Sequence, residues 1–316
     1  IVDRFGHKAL LLLSCLVVLL GLEGIAFFTS IPLLQVSIIG IGLGGGILNG
    51  ETNALVADIS NEAEKGSRLS LLGAFYGIGA LGIPVLLSFL SEYYSFEIIL
   101  QGTGMVMLIG ILFCLGIRFP APKQPQGFPI KEGLGLLKES SLLLLSFILF
   151  FQSGIEGVCN NWTTLYLGQT TGIPENRALI ALTCMVAGLT VARLLLVVLF
   201  KKIKQETVLR TSLITAVAGF ALLTFAPGFA RAAIGMALIG AGLASTFPVI
   251  LSIIGSRYAS LSGTAFSVAL VIALIGQTLL NSLTGIISQG YGIVVYPYMM
   301  IVSLLIMLLL FKRSLK

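Results

Sequence analysis

Charge is scarce in this chain: Asp, Glu, Lys and Arg together make up 10% of its 316 residues, where an ordinary soluble domain carries about 25%. No polar stretch is long enough to fold as a separate soluble domain, so a receptor with a soluble sensory part is not expected. Histidine occurs once, as His7 in a segment read as a loop, and no His/Cys/Asp grouping is visible. An embedded enzyme would need a nucleophile–base pair or a metal cluster, and the sequence offers neither. The four cysteines, Cys15, Cys114, Cys159 and Cys184, lie inside apolar runs without metal-ligand spacing and read as packing residues. No cofactor or metal is implied. The net charge of +6 comes without a basic patch interleaved with aromatics, so it does not indicate nucleic acid. The glycines of Gly40–Gly46 are not followed by GxxxxGK[ST], which excludes a phosphate-binding loop.

What is present is apolar. Hydrophobic residues reach 57% and the mean hydropathy is +1.05, which predicts an integral membrane protein in contact with the lipid bilayer. Spans of about 20 apolar residues fall at 9–29, 32–57, 69–91, 96–117, 140–167, 178–200, 207–226, 231–256, 262–289 and 291–311. They should be helices, giving an all-α polytopic bundle, because a chain this uniformly apolar lacks the alternation of a barrel strand. Pro84 and Pro248 should kink their helices. The one long polar interruption, 118–139, is rich in Pro, Gly and basic residues and reads as a water-facing linker. It divides the chain into 1–117, with four spans, and 140–316, with six.

Of nineteen Lys and Arg, sixteen fall in loops or termini on one side of these spans, Arg177 and Arg231 fall on the other, and Arg193 lies within a span. The positive-inside rule then predicts cytoplasmic termini, in a plasma or bacterial inner membrane. The basic loop Lys201–Arg210 has two spans before it in the second block, whereas Asp3–Lys8 has none before it. If the blocks are repeats, two helices are expected ahead of Ile1, making this a truncated twelve-span protein, most simply a monomer.

An ionisable group inside a span costs about 2.5–3.5 kcal/mol on insertion scales and so marks a partner or a pathway. Three acids lie well inside: Glu23, Glu51 and Glu156. Glu51 and Glu156 are candidate proton-coupling groups, since burial without a cation lets a carboxyl take a proton near neutral pH. Asn49, Asn53, Gln152, Asn160, Asn161, Gln277 and Asn281 could hydrogen-bond substrate hydroxyls or serve as interhelical glue. Trp162 offers a stacking face for a sugar ring, or a headgroup-belt position about five residues from the outer end of its span.

The opening IVDRFGHKALL resembles the later part of the loop signature of the major facilitator superfamily, Gly-x-Leu-x-Asp-Arg-x-Gly-Arg-Lys, with His7 where Arg or Lys is usual. The resemblance implies a cytoplasmic gate of Asp3, Arg4 and Gly6, with Asp58 as partner for Arg4; GLTVAR ending at Arg193 is a partial echo. Ile39–Ser60, Gly66–Pro84, Phe150–Leu167 and Ile239–Ser252 are similar to helices of the fucose permease branch, which contains sugar/proton symporters. In that pattern an acid stands four positions before an Asn. Here Asn49 stands before Asn53, and Glu51 lies about 200° round the helix from Asn49. The implied function is uptake of a sugar or similar small polar metabolite with protons. A proton-coupled exporter of drugs or metabolites is the alternative; the lack of a membrane Arg in the 32–57 helix and the broken Gly82-Ile-Pro84 count against it.

Overall fold

The computed structural model describes residues 2–122, 135–225 and 228–314. A short helix, α1 (Val2–Phe5), leads through Gly6 into α2 (His7–Phe27), followed by α3 (Ile31–Asp58), α4 (Lys65–Leu90) and α5 (Phe96–Gly116). After the linker come α6 (Ser140–Thr171), α7 (Glu175–Leu199), α8 (Gln205–Phe225), α9 (Phe229–Leu243), α10 (Thr246–Arg257), α11 (Ser262–Tyr291) and α12 (Tyr296–Ser314). All ten expected spans are present, nine of them long and apolar enough among the described residues to cross a membrane. Most of the 118–139 linker expectation falls outside the described residues.

Helices form because an apolar run leaves the backbone no other partner for its N–H and C=O groups. At Pro248, where a kink is expected, the helical hydrogen bonding is interrupted: α9 stops at Leu243 and α10 starts at Thr246, with Ala244 and Ser245 between them still in helical backbone geometry. Proline has no N–H and its ring clashes with the carbonyl four residues back, here that of Ala244, where the helix parts. Lys65–Leu90, which contains Pro84, remains one helix.

Helix α6 is the buried centre of the second block, with Leu142, Leu145, Ile148, Leu149 and Ile155 fully enclosed by α7, α10, α11 and α12. In the first block α2 packs on α3 and α5. Close helix approach is set by small residues: a Cβ at Gly240 of α9 would strike the Met185 carbonyl of α7, whereas one at Gly42 of α3 would meet nothing. We expect Gly240→Leu to cost about 1–3 kcal/mol through overpacking and Gly42→Leu to leave the melting temperature unchanged, as read by thermal unfolding in detergent.

Candidate functional site

The bundle end that carries most of the basic loops is held shut. Among the described residues, every hydrogen bond between α1–α5 and α6–α12 lies within about 12 Å of that end, at 1.5 Å per helical residue. Gly6, at φ 79°, turns the chain so that α1 lies across the start of α11. The buried Asp3 carboxylate there accepts from the backbone N–H groups of Gly263 (3.3 Å) and Thr264 (3.0 Å) and from the Thr264 hydroxyl (2.9 Å). Its negative charge also meets the positive end of the α11 dipole. Asp58 accepts from Ser262 Oγ at 2.9 Å. Ser67 Oγ donates to Val197 O, Ser70 Oγ to Arg193 O, and Arg193 Nη1 to Gly73 O. Lys65 Nζ bridges Glu62 Oε1 (2.7 Å) and Ser256 Oγ (3.0 Å), and Ser256 also donates to Glu62.

Lys65 and then Ser256 hold the Glu62 carboxyl below its ordinary range. A depressed folded-state pKa contributes stability that is present above the unfolded value and is lost as pH falls through the folded one. Glu62 keeps 71% of its side chain exposed, so the pair is worth under about 1 kcal/mol. Glu62→Gln should lower the melting temperature slightly at neutral pH, and the difference should shrink as pH falls below the ordinary glutamate range and through the depressed folded-state value.

His7 differs from expectation. It is no loop residue: it opens α2 two residues before the expected start of that span, is buried, and sits between two carboxylates of α3. Its Nδ1 is 2.6 Å from Glu51 Oε1 and its Nε2 is 3.1 Å from Asp58 Oδ2. Glu51 is therefore paired at the closed end rather than open to the middle of the bundle. The expected Arg4–Asp58 pair involves the Arg4 side chain, which lies outside the described residues.

A second polar region lies at mid-bundle, where glycines bring α6 and α11 together. A Cβ at Gly157 would come within 2.6 Å of Gln277 Cγ and 2.8 Å of Asn281 Nδ2, and one at Gly285 within 3.3 Å of the Trp162 ring. Asn161 Nδ2 donates to Asn281 Oδ1 (2.9 Å), and Asn281 Nδ2 to Gln277 O (2.7 Å). The Asn161 carbonyl oxygen and the Gln277 side-chain amide have no hydrogen-bond partner among the described residues. One turn along α6, Asn160 Nδ2 donates to Glu156 O, and the half-buried Glu156 carboxylate also lacks a hydrogen-bond partner among the described residues. This face offers neutral donors and acceptors, a flat indole and one acid, whose charge is felt by Arg193 of α7.

The other expected residues divide. Asn53 Nδ2 donates to Asn49 O and Oδ1 (2.8 and 3.1 Å) on the α3 face, and Asn49 is exposed. Gln152 is fully buried and donates to Leu243 O at 3.1 Å. Its amide holds a carbonyl freed by the α9/α10 break, so this residue is interhelical glue and not part of an open face. Trp162 is deeper than expected, because α6 continues to Thr171 and places the ring nine residues, about 13 Å, from the helix end. Glu23 turns into the α2/α5 contact, where Gly104 makes room for its carboxylate. Sequence reasoning missed His7 as a pairing residue, as well as Lys65, Ser256 and Ser262. Their long-range partners are 44 to 204 residues away, and nothing in hydropathy marks them.

A helical bundle of this kind, closed at one end and polar between its helices at mid-depth, is the architecture of a membrane transporter. The chain belongs to the Major Facilitator Superfamily, whose sequence profile matches residues 1–278. It is 23% identical over 302 residues to YfkL, an uncharacterised MFS-type transporter of Bacillus subtilis strain 168, covering 92% of this chain and 75% of that one. The fold is similar to that of the Escherichia coli fucose:proton symporter FucP, with a TM-score of 0.84 at 19% identity over 99% of this chain and 85% of that one. The human organic anion transporter MFSD10 is also similar, with a TM-score of 0.81 at 14% identity over 98% of this chain and 78% of that one. This is a multi-pass membrane transporter; family and fold are those of transporters, not enzymes.

Proposed function

We propose that the protein takes up a sugar or similar small polar metabolite together with protons, by alternating access of the 1–117 and 140–316 blocks. The observation that carries this reading is the α6/α11 face: the unpaired amide oxygen of Asn161, the unpaired side-chain amide of Gln277, the Trp162 ring and the Glu156 carboxylate, which lacks a hydrogen-bond partner among the described residues, within a few turns of one another. Neutral amides match hydroxyls without demanding a charged substrate, and an indole gives a pyranose ring an apolar surface. Asn49 and Asn53 on α3 and Asn160 on α6 extend the polar lining. Glu156 is the coupling acid; Glu51, the other candidate, is already engaged by His7. Protonating Glu156 removes a charge from the low-dielectric middle of the bundle and biases the rocking of the blocks.

The excess of basic residues at the closed end supports a cytoplasmic location for it and for both termini of this chain. The form described is then outward-facing, with Asp3, Gly6, Asp58 and Arg193 as parts of the closed cytoplasmic gate. The protein works as a monomer in the bilayer, since substrate and gate residues all come from one chain.

Calorimetric binding of hexoses to the purified protein tests the substrate part. Asn281→Ala and Gln277→Ala should each weaken binding by about 1 kcal/mol, roughly fivefold, with unchanged thermal stability. Absence of binding by any hexose, or binding by both variants as tight as by the parent, would overturn it.

A further inference from the structure

The contact around His7 fixes a proton count. A hydrogen bond holds one proton between two heavy atoms, and a neutral imidazole carries one N–H. Two ring nitrogens at 2.6 and 3.1 Å from two carboxylate oxygens therefore require two protons among the three groups. Either an imidazolium lies between two carboxylates, or a neutral ring donates to one and accepts from the other as a carboxylic acid. With one proton fewer, one contact sets lone pair against lone pair. His7 is 3% exposed and Glu51 2%, so water is not at hand to take up the mismatch, and the contact must open.

The ring is also tied to the other block. Asp58, which faces His7 Nε2, accepts from Ser262 of α11, and one turn before His7 the Asp3 carboxylate caps that same helix. Opening the ring contact removes one of the bonds that hold Asp58 in place to receive Ser262, and loosens the start of α2, just ahead of which Asp3 reaches α11.

We propose that His7, Glu51 and Asp58 form a proton-operated latch: this end of the bundle stays closed while the three groups share two protons, and opens when one is lost. Arginine or lysine at position 7 would keep its charge throughout the working range, whereas histidine makes the latch titratable. Among the described side chains, the charged groups facing His7 are Glu51 and Asp58, both from α3, with Asp3 of α1 near enough for its charge to act on Glu51. Lys8, the next residue, is turned to the carbonyls of Leu115 and Ile117 at the end of α5. Lys65 of α4 is held by Glu62 and Ser256, and α11 presents only the Ser262 hydroxyl. The pH sensed is that of the compartment at the closed end. The latch rests on the alternating-access part of the reading above and not on the substrate or the coupling ion.

His7 is the one histidine of the chain, so selective ¹⁵N-histidine labelling reports its ring in the whole protein, carried on a histidine-free tag. Nitroxide labels at Ala63 and Ser260, exposed on the two sides of the seal, report closure by pulsed-EPR distance after the native cysteines are replaced. Both are measured in nanodiscs without substrate or gradient. The latch predicts a closed-to-open ratio that falls as pH rises, by up to tenfold per pH unit for one proton, at the pH where the His7 ¹⁵N signals change. His7→Arg removes this dependence. Should that variant fail to fold, Glu51→Gln serves: its amide N–H supplies the donor to Nδ1, and closure becomes insensitive to pH. A closed fraction that ignores pH while His7 titrates, or that keeps the parental pH dependence in the folded variants, overturns the latch. Neither result bears on hexose binding, which stands or falls separately.

Discussion

Asp3→Ala is expected to abolish most transport while leaving the protein folded and abundant. The Asp3 carboxylate is 1% exposed and satisfies two backbone N–H groups and one hydroxyl at the first turn of α11. It is the one described charge that bonds directly to the free N–H groups of that helix, which have no intrahelical partners. Charge-assisted hydrogen bonds are worth about 1.5–3 kcal/mol each and do not add in full. A loss of about 3 kcal/mol from the closed form shifts its ratio to the open form by some 150-fold. The Ala63–Ser260 distance should therefore move to its long value at neutral pH, and Asp3→Asn, which keeps acceptors but not the charge, should fall between. A parental distance distribution in Asp3→Ala would show that the cap does not hold the seal.

Glu156→Gln should separate exchange from accumulation. The substitution preserves the size and polarity of a side chain half-buried on α6 but removes its ability to change charge. In a proton symporter the fixed neutral form mimics the protonated state, so the blocks still interconvert and labelled substrate still exchanges for unlabelled. The gradient no longer does work, and the inside-to-outside ratio falls to unity. Glu51→Gln is expected to behave differently. It keeps accumulation, because Glu51 belongs to the gate, and makes closure of the gate insensitive to pH. The reverse assignment, with accumulation lost in Glu51→Gln and kept in Glu156→Gln, would move the coupling site to the closed end.

The ten helices were legible because membrane spans need only length and apolarity, and this chain separates its spans with short polar breaks. The polar meeting of α6 and α11 was half legible. Glu156, Asn161, Gln277 and Asn281 stand out in apolar surroundings, but their juxtaposition depends on Gly157 and Gly285, whose missing Cβ atoms hydropathy cannot weigh. Trp162 was read too close to the membrane surface because Gly168–Thr171 look like loop. The better signal was the αL cap at Gly172, φ 66°, followed by Pro174, a common helix stop. Gln152 shows the ambiguity of any polar residue in a span: it can serve a ligand or a broken helix, and Pro248, 96 positions on, decides for the latter. His7 was hidden for another reason. Its partners are on a different helix, and its position two residues before an apolar run gives no hint that Gly6 tucks the ring beneath α3.

The most direct test of the account is gradient-driven uptake by vesicles containing the full-length protein, with labelled fucose, galactose, glucose and mannose under an imposed inward proton gradient. The account predicts accumulation of at least one hexose that collapses with the gradient and is absent in Glu156→Gln, while counterflow survives. No accumulation of any hexose, together with extrusion of dyes or other metabolites under the opposing gradient, would contradict it and make the protein an exporter.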